Sequence, residues 1–351
     1  MEYFFYAAKA WLEIRKFDKY IAKSYKNGGY VKICFDDSNY ADFTDILDLQ
    51  SYAAHYEDFT VFGRDGFIYC LTLNGAVKKG AYQKSLVKLS RKSQKSQLKR
   101  FIELSGIKEQ MLKKYPSDKI VKTGRGIRGY NKCLYINCSR DYIIPFRLKC
   151  AQKKNQPLVV YLGGGGTVGC DNNKLLHEFI YYTSGKCVEK RDCNILLPQA
   201  TGGGSFETES RKLFARNTAD LIRELLETHD IDRNRVYVYG SSLGGGCVWN
   251  ILLDSPELFA CALETMGCYF GYESLDEHKF KELAEIPIWM AHSSDDAVVD
   301  IASDDYFYDK LKEYGADVKY SRWDKFGHKM SYKFYRQEPW IDWMFSHNKE
   351  Q

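Results

Sequence analysis

The sequence predicts an α/β fold built on an open, mostly parallel sheet, and three observations support this. Short apolar runs rich in Val, Ile, Leu and Tyr alternate with helix-compatible segments from about residue 126 onward. The runs have the length of buried strands, and each intervening segment can hold a crossover helix. Polar or glycine-rich loops follow several runs, at the edge where parallel sheets bind ligands.

The predicted elements follow this alternation in chain order. A leading hairpin is predicted at residues 133–138 and 143–150, because two apolar runs are separated there by a short polar turn. Apolar, β-branched composition predicts parallel strands at residues 158–162, 194–198, 236–239, 286–291 and 318–321. Apolar residues at helical spacing predict helices at residues 172–183, 207–228, 243–253 and 301–314.

The sequence further predicts two regions. Residues 1–125 form an N-terminal α+β accessory region of unknown role, and residues 126–351 form the main domain. Within the accessory region, helices are predicted at 5–25 and 83–115. Strand-like runs are predicted at 30–35 and 59–73, the second broken by two glycines.

A basic block stands out against the overall net charge of +5. Residues 76–125 contain 15 Lys or Arg and 3 Asp or Glu, with apolar residues at roughly helical spacing. One interpretation is a surface for nucleic acid or for an anionic membrane. The other is a solvated pair of helices with one apolar face on the core. We favour the second, because no nucleic-acid-binding motif accompanies the charge.

Cysteine usage and the N-terminus bear on the compartment. The 11 cysteines are scattered and lack the C-x-x-C spacing of a metal site, and the N-terminal stretch does not resemble a secretory signal. No segment reaches the roughly 20 apolar residues of a membrane span. We therefore expect a cytoplasmic protein with reduced thiols and no metal.

A nucleophile elbow is predicted where the run at 236–239 meets the G-x-S-x-G pattern of residues 240–244. An apolar, helix-compatible segment follows, so the pattern sits between a strand and a helix. Such a turn holds its serine in a strained conformation and requires small residues two positions before and after it. Both of those positions are glycines, which makes Ser242 the predicted nucleophile and Ser241 a filler.

An acid and a base follow the serine in the chain order that is used by hydrolases with a nucleophile elbow. Asp296 follows the strand predicted at 286–291, and His328 follows the next strand. A serine hydroxyl is a poor nucleophile at neutral pH, so His328 is predicted to take its proton and Asp296 to orient the imidazole. Asp295 is the alternative acid. His292 stands too near the end of its strand to reach the serine.

The predicted oxyanion site combines two backbone amides. One is the amide of Leu243, the residue after the nucleophile. The other belongs to the glycine run at 163–166, which follows the strand predicted at 158–162. A phosphate-binding loop is the alternative for this run, but it lacks the G-K-[ST] ending of such loops.

These motifs together resemble the α/β-hydrolases, and within them the predicted peptidases, phospholipase/carboxylesterases and feruloyl-type esterases. That group shows P-L-V-V-F-L-H-G-x-G, G-x-D-N, P-Q and D-x-x-R-[IV]-Y-x-x-G-x-S-x-G-G. The matching segments here are PLVVYLGGGG at 157–166, GCDN at 169–172, PQ at 198–199 and DRNRVYVYGSSLGG at 232–245. The resemblance covers about residues 130–345.

The resemblance implies a catalytic domain, with its triad on Ser242, Asp296 and His328. It places the oxyanion amides on Leu243 and on Gly164 or Gly165. It implies an α/β-hydrolase fold, a serine esterase and no cofactor. The chain departs from the group at one position, where the usual histidine before the loop glycine is Gly163.

The expected substrate is a small-molecule carboxylic ester, either a simple one or one linked to a carbohydrate. Three alternatives stay open at this point: a peptidase, an acyltransferase of the same fold, and a non-catalytic binding protein that keeps the fold. The sequence does not indicate an oligomeric state.

Overall fold

A computed structural model describes residues 59–64, 67–72, 114–140, 142–168, 174–201, 208–337 and 339–350. The chain divides into two compact units, residues 1–116 with 201–210, and residues 117–200 with 211–351. The described strands of the first unit are β1 (Phe59–Arg64) and β2 (Phe67–Thr72), which pair antiparallel.

The run predicted at 59–73 therefore forms a hairpin. The other predicted elements of the accessory region lie outside the described residues, apart from the last two residues of the helix predicted at 83–115. The role of this region and its boundary at residue 125 stay predictions.

Nine strands of the described part of the second unit form one sheet in the order β11-β10-β9-β8-β6-β7-β5-β4-β3. They are β3 (Lys119–Ile127), β4 (Tyr130–Asn137), β5 (Tyr142–Lys149), β6 (Gln156–Leu162), β7 (Asn194–Pro198), β8 (Ile231–Ser241), β9 (Cys261–Thr265), β10 (Ile288–Ser293) and β11 (Val318–Trp323). The six strands from β6 to β11 pair parallel, and β3 to β5 add antiparallel strands at one edge.

The helices connect these strands and cover both faces of the sheet. They are α1 (Lys174–Tyr182), α2 (Gly185–Val188), α3 (Thr208–Thr228), α4 (Leu243–Asp254), α5 (Glu277–Ala284), α6 (Ala302–Glu313), α7 (Met330–Gln337) and α8 (Trp340–Phe345). None of the helices in the described ranges is both long and apolar enough to cross a bilayer.

Alternation along β6 and β8 divides the core into two layers. Leu158, Val160 and Leu162 point into a cluster with buried residues of α3, α4, α5 and α6. Val159 and Tyr161 point into the opposite cluster, with residues of α1, α7 and α8. Because both faces of the sheet are buried, these strands consist of continuous apolar residues and do not alternate between apolar and polar residues. The fold is therefore the predicted mostly parallel α/β sheet.

Several elements were not predicted from the sequence. The strand β9 has only five residues and includes Glu264, so its pattern was too weak to identify. The strand β3 is a lysine- and glycine-rich edge strand and lacks an apolar signal. The helices α2, α5, α7 and α8 are short and were also missed. The predicted parallel strands and the four predicted helices are all present, and each end lies within five residues of the predicted one.

Candidate active site

The turn between β8 and α4 holds Ser242 in a strained backbone conformation. Its φ and ψ are 56° and −120°, which only a few non-glycine residues adopt. A side chain at Gly240 would collide with the Gly244 carbonyl, and one at Gly244 would collide with the Leu162 carbonyl. The two glycines therefore allow the sharp turn that raises the serine above the end of the sheet.

Ser241 takes the opposite direction from Ser242. Its buried hydroxyl lies 2.8 Å from Thr265 Oγ1 and 3.0 Å from the Tyr335 hydroxyl. Ser242, by contrast, is partly exposed, and its Oγ lies 2.8 Å from His328 Nε2. Of the two neighbouring serines, only Ser242 thus faces a base.

His328 lies in a short 3₁₀ turn between β11 and α7. Its Nδ1 is 2.7 Å from Asp296 Oδ2, on the side of the ring opposite Ser242. The Asp296 side chain is fully buried, and its Oδ1 accepts hydrogen bonds from the amides of Val298 and Val299. The structure therefore joins the serine, histidine and aspartate predicted from the sequence by two hydrogen-bond distances.

The environment of Asp296 favours its carboxylate form. Burial by itself would raise the pKa of Asp296, but hydrogen bonds from His328 and from the two amides outweigh burial, and the pKa lies below its usual value. An ionised Asp296 can fix the tautomer of the His328 ring and stabilise it once it is charged.

Asp295, the alternative acid, has a different set of contacts. Its Oδ1 accepts hydrogen bonds from the amides of Gly327 and Phe326 at 2.7 and 3.0 Å, and from the Ser293 hydroxyl. It therefore fixes the backbone of the loop that carries His328, whereas Asp296 contacts the imidazole ring. The structure selects Asp296 from the pair.

The loop after β6 places its glycines in different surroundings. The Gly164 amide donates a 2.8 Å hydrogen bond to Glu178 Oε1, so this N–H already has a partner. Gly165 begins a 3₁₀ turn, and among the described residues no atom outside its chain neighbours lies within 4 Å of where its Cβ would be. Its N–H precedes the hydrogen bonds of the turn. Of the two glycines predicted from the sequence, Gly165 is the one whose N–H has no hydrogen-bond partner among the described residues.

Leu243 is the second predicted oxyanion residue. It is the first residue of α4, and the first N–H groups of a helix have no partner within the helix. The N-terminus of a helix also favours negative charge. Its position is thus suited to an oxyanion that forms at Ser242.

The surroundings of Gly163 explain why the usual histidine is absent at this position. A side chain at this position would collide with Leu175 and with Thr167 Oγ1. Thr167 Oγ1 instead donates to the Gly164 carbonyl at 2.8 Å, and Glu178 accepts from the Gly164 amide. Two other side chains therefore hold the loop, and the space that a histidine would need is filled.

Sequence reasoning missed Glu178. Its Oε1 accepts from the Tyr161 hydroxyl at 2.7 Å as well as from Gly164, and burial raises the pKa of this carboxyl. The available signal was a charged residue beside the apolar stripe of α1, between Leu175 and Phe179.

Metal and thiol chemistry find no support in the described ranges. No group of three or more potential metal ligands occurs among these residues. Cys247 is buried five positions after Ser242, and burial raises the pKa of its thiol to about 11, so it is a packing residue rather than a nucleophile.

Comparisons with known proteins agree with this geometry. A model of the phospholipase/carboxylesterase family matches residues 207–337. The chain is similar to a thermostable esterase, with 26% identity and a TM-score of 0.55 over 63% of this chain and 64% of that one. No curated protein matches the sequence closely enough to count as a relative.

Two further solved structures are similar at lower identity. An acylaminoacyl peptidase of Pyrococcus horikoshii has 16% identity and a TM-score of 0.47, over 68% of this chain and 43% of that one. A ferulic acid esterase has 14% identity and a TM-score of 0.46, over 65% of this chain and all of that one.

The chain spans less than two thirds of the length of the thermostable esterase and of the acylaminoacyl peptidase. The sheet order, the strained serine after β8 and the family match nevertheless agree. The chain therefore has the α/β-hydrolase fold, and its residues 207–337 match the phospholipase/carboxylesterase family, as its motifs indicated.

Proposed function

We propose that this protein is a serine esterase that hydrolyses carboxylic esters through an acyl-enzyme. The observation that carries the proposal is the continuous contact from Ser242 Oγ to His328 at 2.8 Å and from His328 to Asp296 at 2.7 Å. Nucleophile, base and orienting acid within hydrogen-bond distance are the arrangement that activates a serine.

The proposed first step acylates the serine. Ser242 Oγ attacks the ester carbonyl while His328 Nε2 takes the hydroxyl proton, and the amides of Leu243 and Gly165 stabilise the oxyanion. His328 then returns the proton to the leaving alkoxide, which departs as the alcohol. Asp296 orients the imidazole and stabilises its charged form throughout.

The proposed second step releases the acid. His328 removes a proton from water, and the resulting hydroxide attacks the acyl-enzyme carbonyl. The second tetrahedral intermediate collapses when His328 protonates Ser242 Oγ. The net reaction consumes one ester and one water and yields one carboxylic acid and one alcohol, with no cofactor in either step.

Apolar side chains near the site favour an ester with an apolar part. Phe270, Val298 and Phe326 are each at least 40% exposed, and they lie in the loops after β9, β10 and β11. These loops emerge at the carboxyl edge of the sheet, where Asp296 and His328 also lie. Exposed apolar side chains around a site commonly mark a binding surface.

The test is fluorophosphonate labelling, read by intact mass. We expect one adduct on the wild type and on Ser241→Ala, and none on Ser242→Ala. Ser241 is the matched control, because it is the neighbouring serine and contacts the core instead of a base. A folded wild type that takes no label would contradict the proposal and would favour the non-catalytic binding protein.

A labelled enzyme can still be an acyltransferase or a peptidase. Turnover of an ester in water, compared with turnover in the presence of an added alcohol, separates the first alternative. An esterase releases mainly free acid, whereas an acyltransferase forms the new ester. Cleavage of matched ester and anilide substrates separates the second.

A further inference from the structure

A buried series of ionisable side chains continues from Asp296 on the side away from Ser242. His292, in β10, is fully buried, and its Nε2 lies 3.3 Å from Asp296 Oδ2. Its Nδ1 lies 2.6 Å from Oδ2 of Asp304, a buried residue in the first turn of α6. The His292 ring therefore bridges two buried carboxyl groups.

The neighbours of the ring determine where its protons lie. The Nε2 atom faces Asp296 Oδ2 and, at 3.2 Å, the carbonyl of Val299, and a carboxylate and a carbonyl can only accept hydrogen bonds. A lone pair on Nε2 would face both acceptors, so this nitrogen must carry a proton. The Nδ1 atom faces an oxygen of Asp304. If Asp304 is ionised, both ring nitrogens donate and His292 is an imidazolium.

Two features of the structure stabilise a negative charge at Asp304. The residue lies in the first turn of the 12-residue helix α6, where the helix dipole favours negative charge. Its Oδ1 also accepts a hydrogen bond from Trp249 Nε1 at 3.3 Å. A carboxylate that accepts from an indole and from an imidazolium is compensated despite its burial.

Glu264, at the end of β9, is the last member of the series. Its Oε1 accepts the Gly267 amide, and its Oε2 has no donor among the residues that the structure describes. Burial, followed by the charge of Asp304, raises the pKa of Glu264 well above its usual value. A protonated Glu264 can donate to Asp304, which leaves the proton on Glu264 and the negative charge on Asp304.

The titratable groups around His292 come from each element packed against it. They are Asp296 after β10, Asp304 on α6 and Glu264 on β9, with His328 beyond Asp296. Burial would lower the pKa of His292, but Asp304 and then Asp296 outweigh burial, and the pKa is raised. This direction agrees with the proton positions that the contacts require.

We infer that His292 is a positioning residue whose buried positive charge holds Asp296 as a carboxylate and offsets the negative charge that Asp296 presents to His328. The inference rests on the proposed function for its effect on catalysis. Its expected consequence is that the acidic limb of kcat/KM lies at a lower pH than it would without the positive charge of His292.

The kinetic test compares the wild type with His292→Gln. Loss of the positive charge should move the acidic limb of kcat/KM upward by about 1 pH unit, the size of effect that a nearby charge commonly has. His278→Gln is the matched control, because His278 lies on the surface of α5, with a side chain 73% exposed. An active His292→Gln enzyme whose acidic limb does not move would overturn the inference and leave the esterase proposal intact.

A measurement on the wild type covers the case in which His292→Gln does not fold. In ¹⁵N-histidine-labelled protein, NMR should show one ring with both nitrogens protonated up to at least about pH 8, a state that an unperturbed histidine has lost by then. That signal should be absent from the double variant His292→Gln/Asp304→Asn, which removes the charged pair as a unit and so leaves no uncompensated charge.

The NMR result does not depend on activity. A neutral His292 ring at pH 8 would overturn the inference even if the serine labels. Conversely, failure of the wild type to label would contradict the esterase proposal, while the charge of His292 would still be measured.

Discussion

Glu178 holds the loop after β6 through a single carboxyl oxygen. That oxygen accepts both the Tyr161 hydroxyl and the Gly164 amide, at 2.7 and 2.8 Å. Gly164 directly precedes Gly165, whose amide we propose as an oxyanion donor. A small rotation of the Gly164 peptide would therefore change the direction of the neighbouring N–H, and donors of this kind act only at the correct distance from the oxyanion.

Glu178→Ala should lower kcat by roughly 10- to 100-fold, which is below the 10²- to 10³-fold cost of deleting an oxyanion donor outright. We expect little change in KM, because the loop acts mainly on the transition state. Glu178→Gln should retain most of the activity, since its carbonyl oxygen can accept both hydrogen bonds. Steady-state kinetics of an ester substrate measures both variants.

Two outcomes would contradict this role for Glu178. One is an alanine variant with unchanged kcat, which would mean that the loop keeps its geometry without the carboxyl group. The other is an equal loss in the glutamine variant, which would indicate a role for the charge rather than for the acceptor.

At the level of secondary-structure elements, the loop after β6 has no room for a side chain at its first glycine and has room for one at its last. A side chain at Gly163 would collide with Leu175 of α1 and with Thr167, whereas no atom of the described part of the chain lies within 4 Å of a Cβ at Gly166. Both residues have backbone angles outside the left-handed region, so the contrast between them is steric and not conformational.

Gly163→Ala should lower the free energy of unfolding by about 1–3 kcal/mol, the usual cost of adding a carbon to a packed site. It should also reduce ester turnover, because relief of the collision must move the loop or α1. Gly166→Ala is the matched control and should change stability little. Thermal unfolding followed by circular dichroism measures the difference. Equal melting temperatures for the two variants would contradict the packing argument.

The strand-turn-helix at Ser242 and the loop with His328 are assembled by separate elements. The Asp295 carboxylate connects the loop after β10 to the loop with His328, because it fixes the amides of Phe326 and Gly327 just before the histidine. The two loops are therefore joined by hydrogen bonds to backbone amides, and not by the packing of buried apolar side chains.

At the scale of the whole molecule, two acidic groups give opposite contributions to stability against pH. The pKa of Asp296 is lowered, so its contribution to the folded state is present above the unfolded value near 3.8 and is lost as the pH falls through the folded value. The pKa of Glu264 is raised by burial and then by Asp304. Its contribution is therefore complete below the unfolded value near 4.5 and is lost as the pH rises through the folded value.

Glu264→Gln should flatten the fall in stability at higher pH. Glutamine keeps the acceptor for the Gly267 amide and a donor toward Asp304, but it cannot ionise. We expect the melting temperature of the variant to decline less than that of the wild type between about pH 5 and 9, because the glutamine side chain has no proton to lose in this range. Glu273→Gln, on the exposed surface, is the control. Parallel curves for the wild type and Glu264→Gln would contradict the assignment.

The fold class and the order of the site residues along the chain follow from the amino-acid sequence alone. The parallel strands are buried on both faces, so their residues are apolar without interruption and can be identified from composition. Ser242, Asp296 and His328 each follow such a strand, and the carboxyl ends of parallel strands lie at one edge. Local pattern and topology were therefore enough to predict that the three side chains lie close together.

The contacts that hold these side chains in place could not be predicted from the sequence. The choice of Asp296 over Asp295 depends on which carboxylate contacts the imidazole and which contacts backbone amides. The commitment of the Gly164 amide to Glu178, and the bridge from His292 to Asp304, join residues 14 and 12 positions apart on different elements. Contacts of this kind leave no periodic signal, because they depend on how helices pack against the sheet.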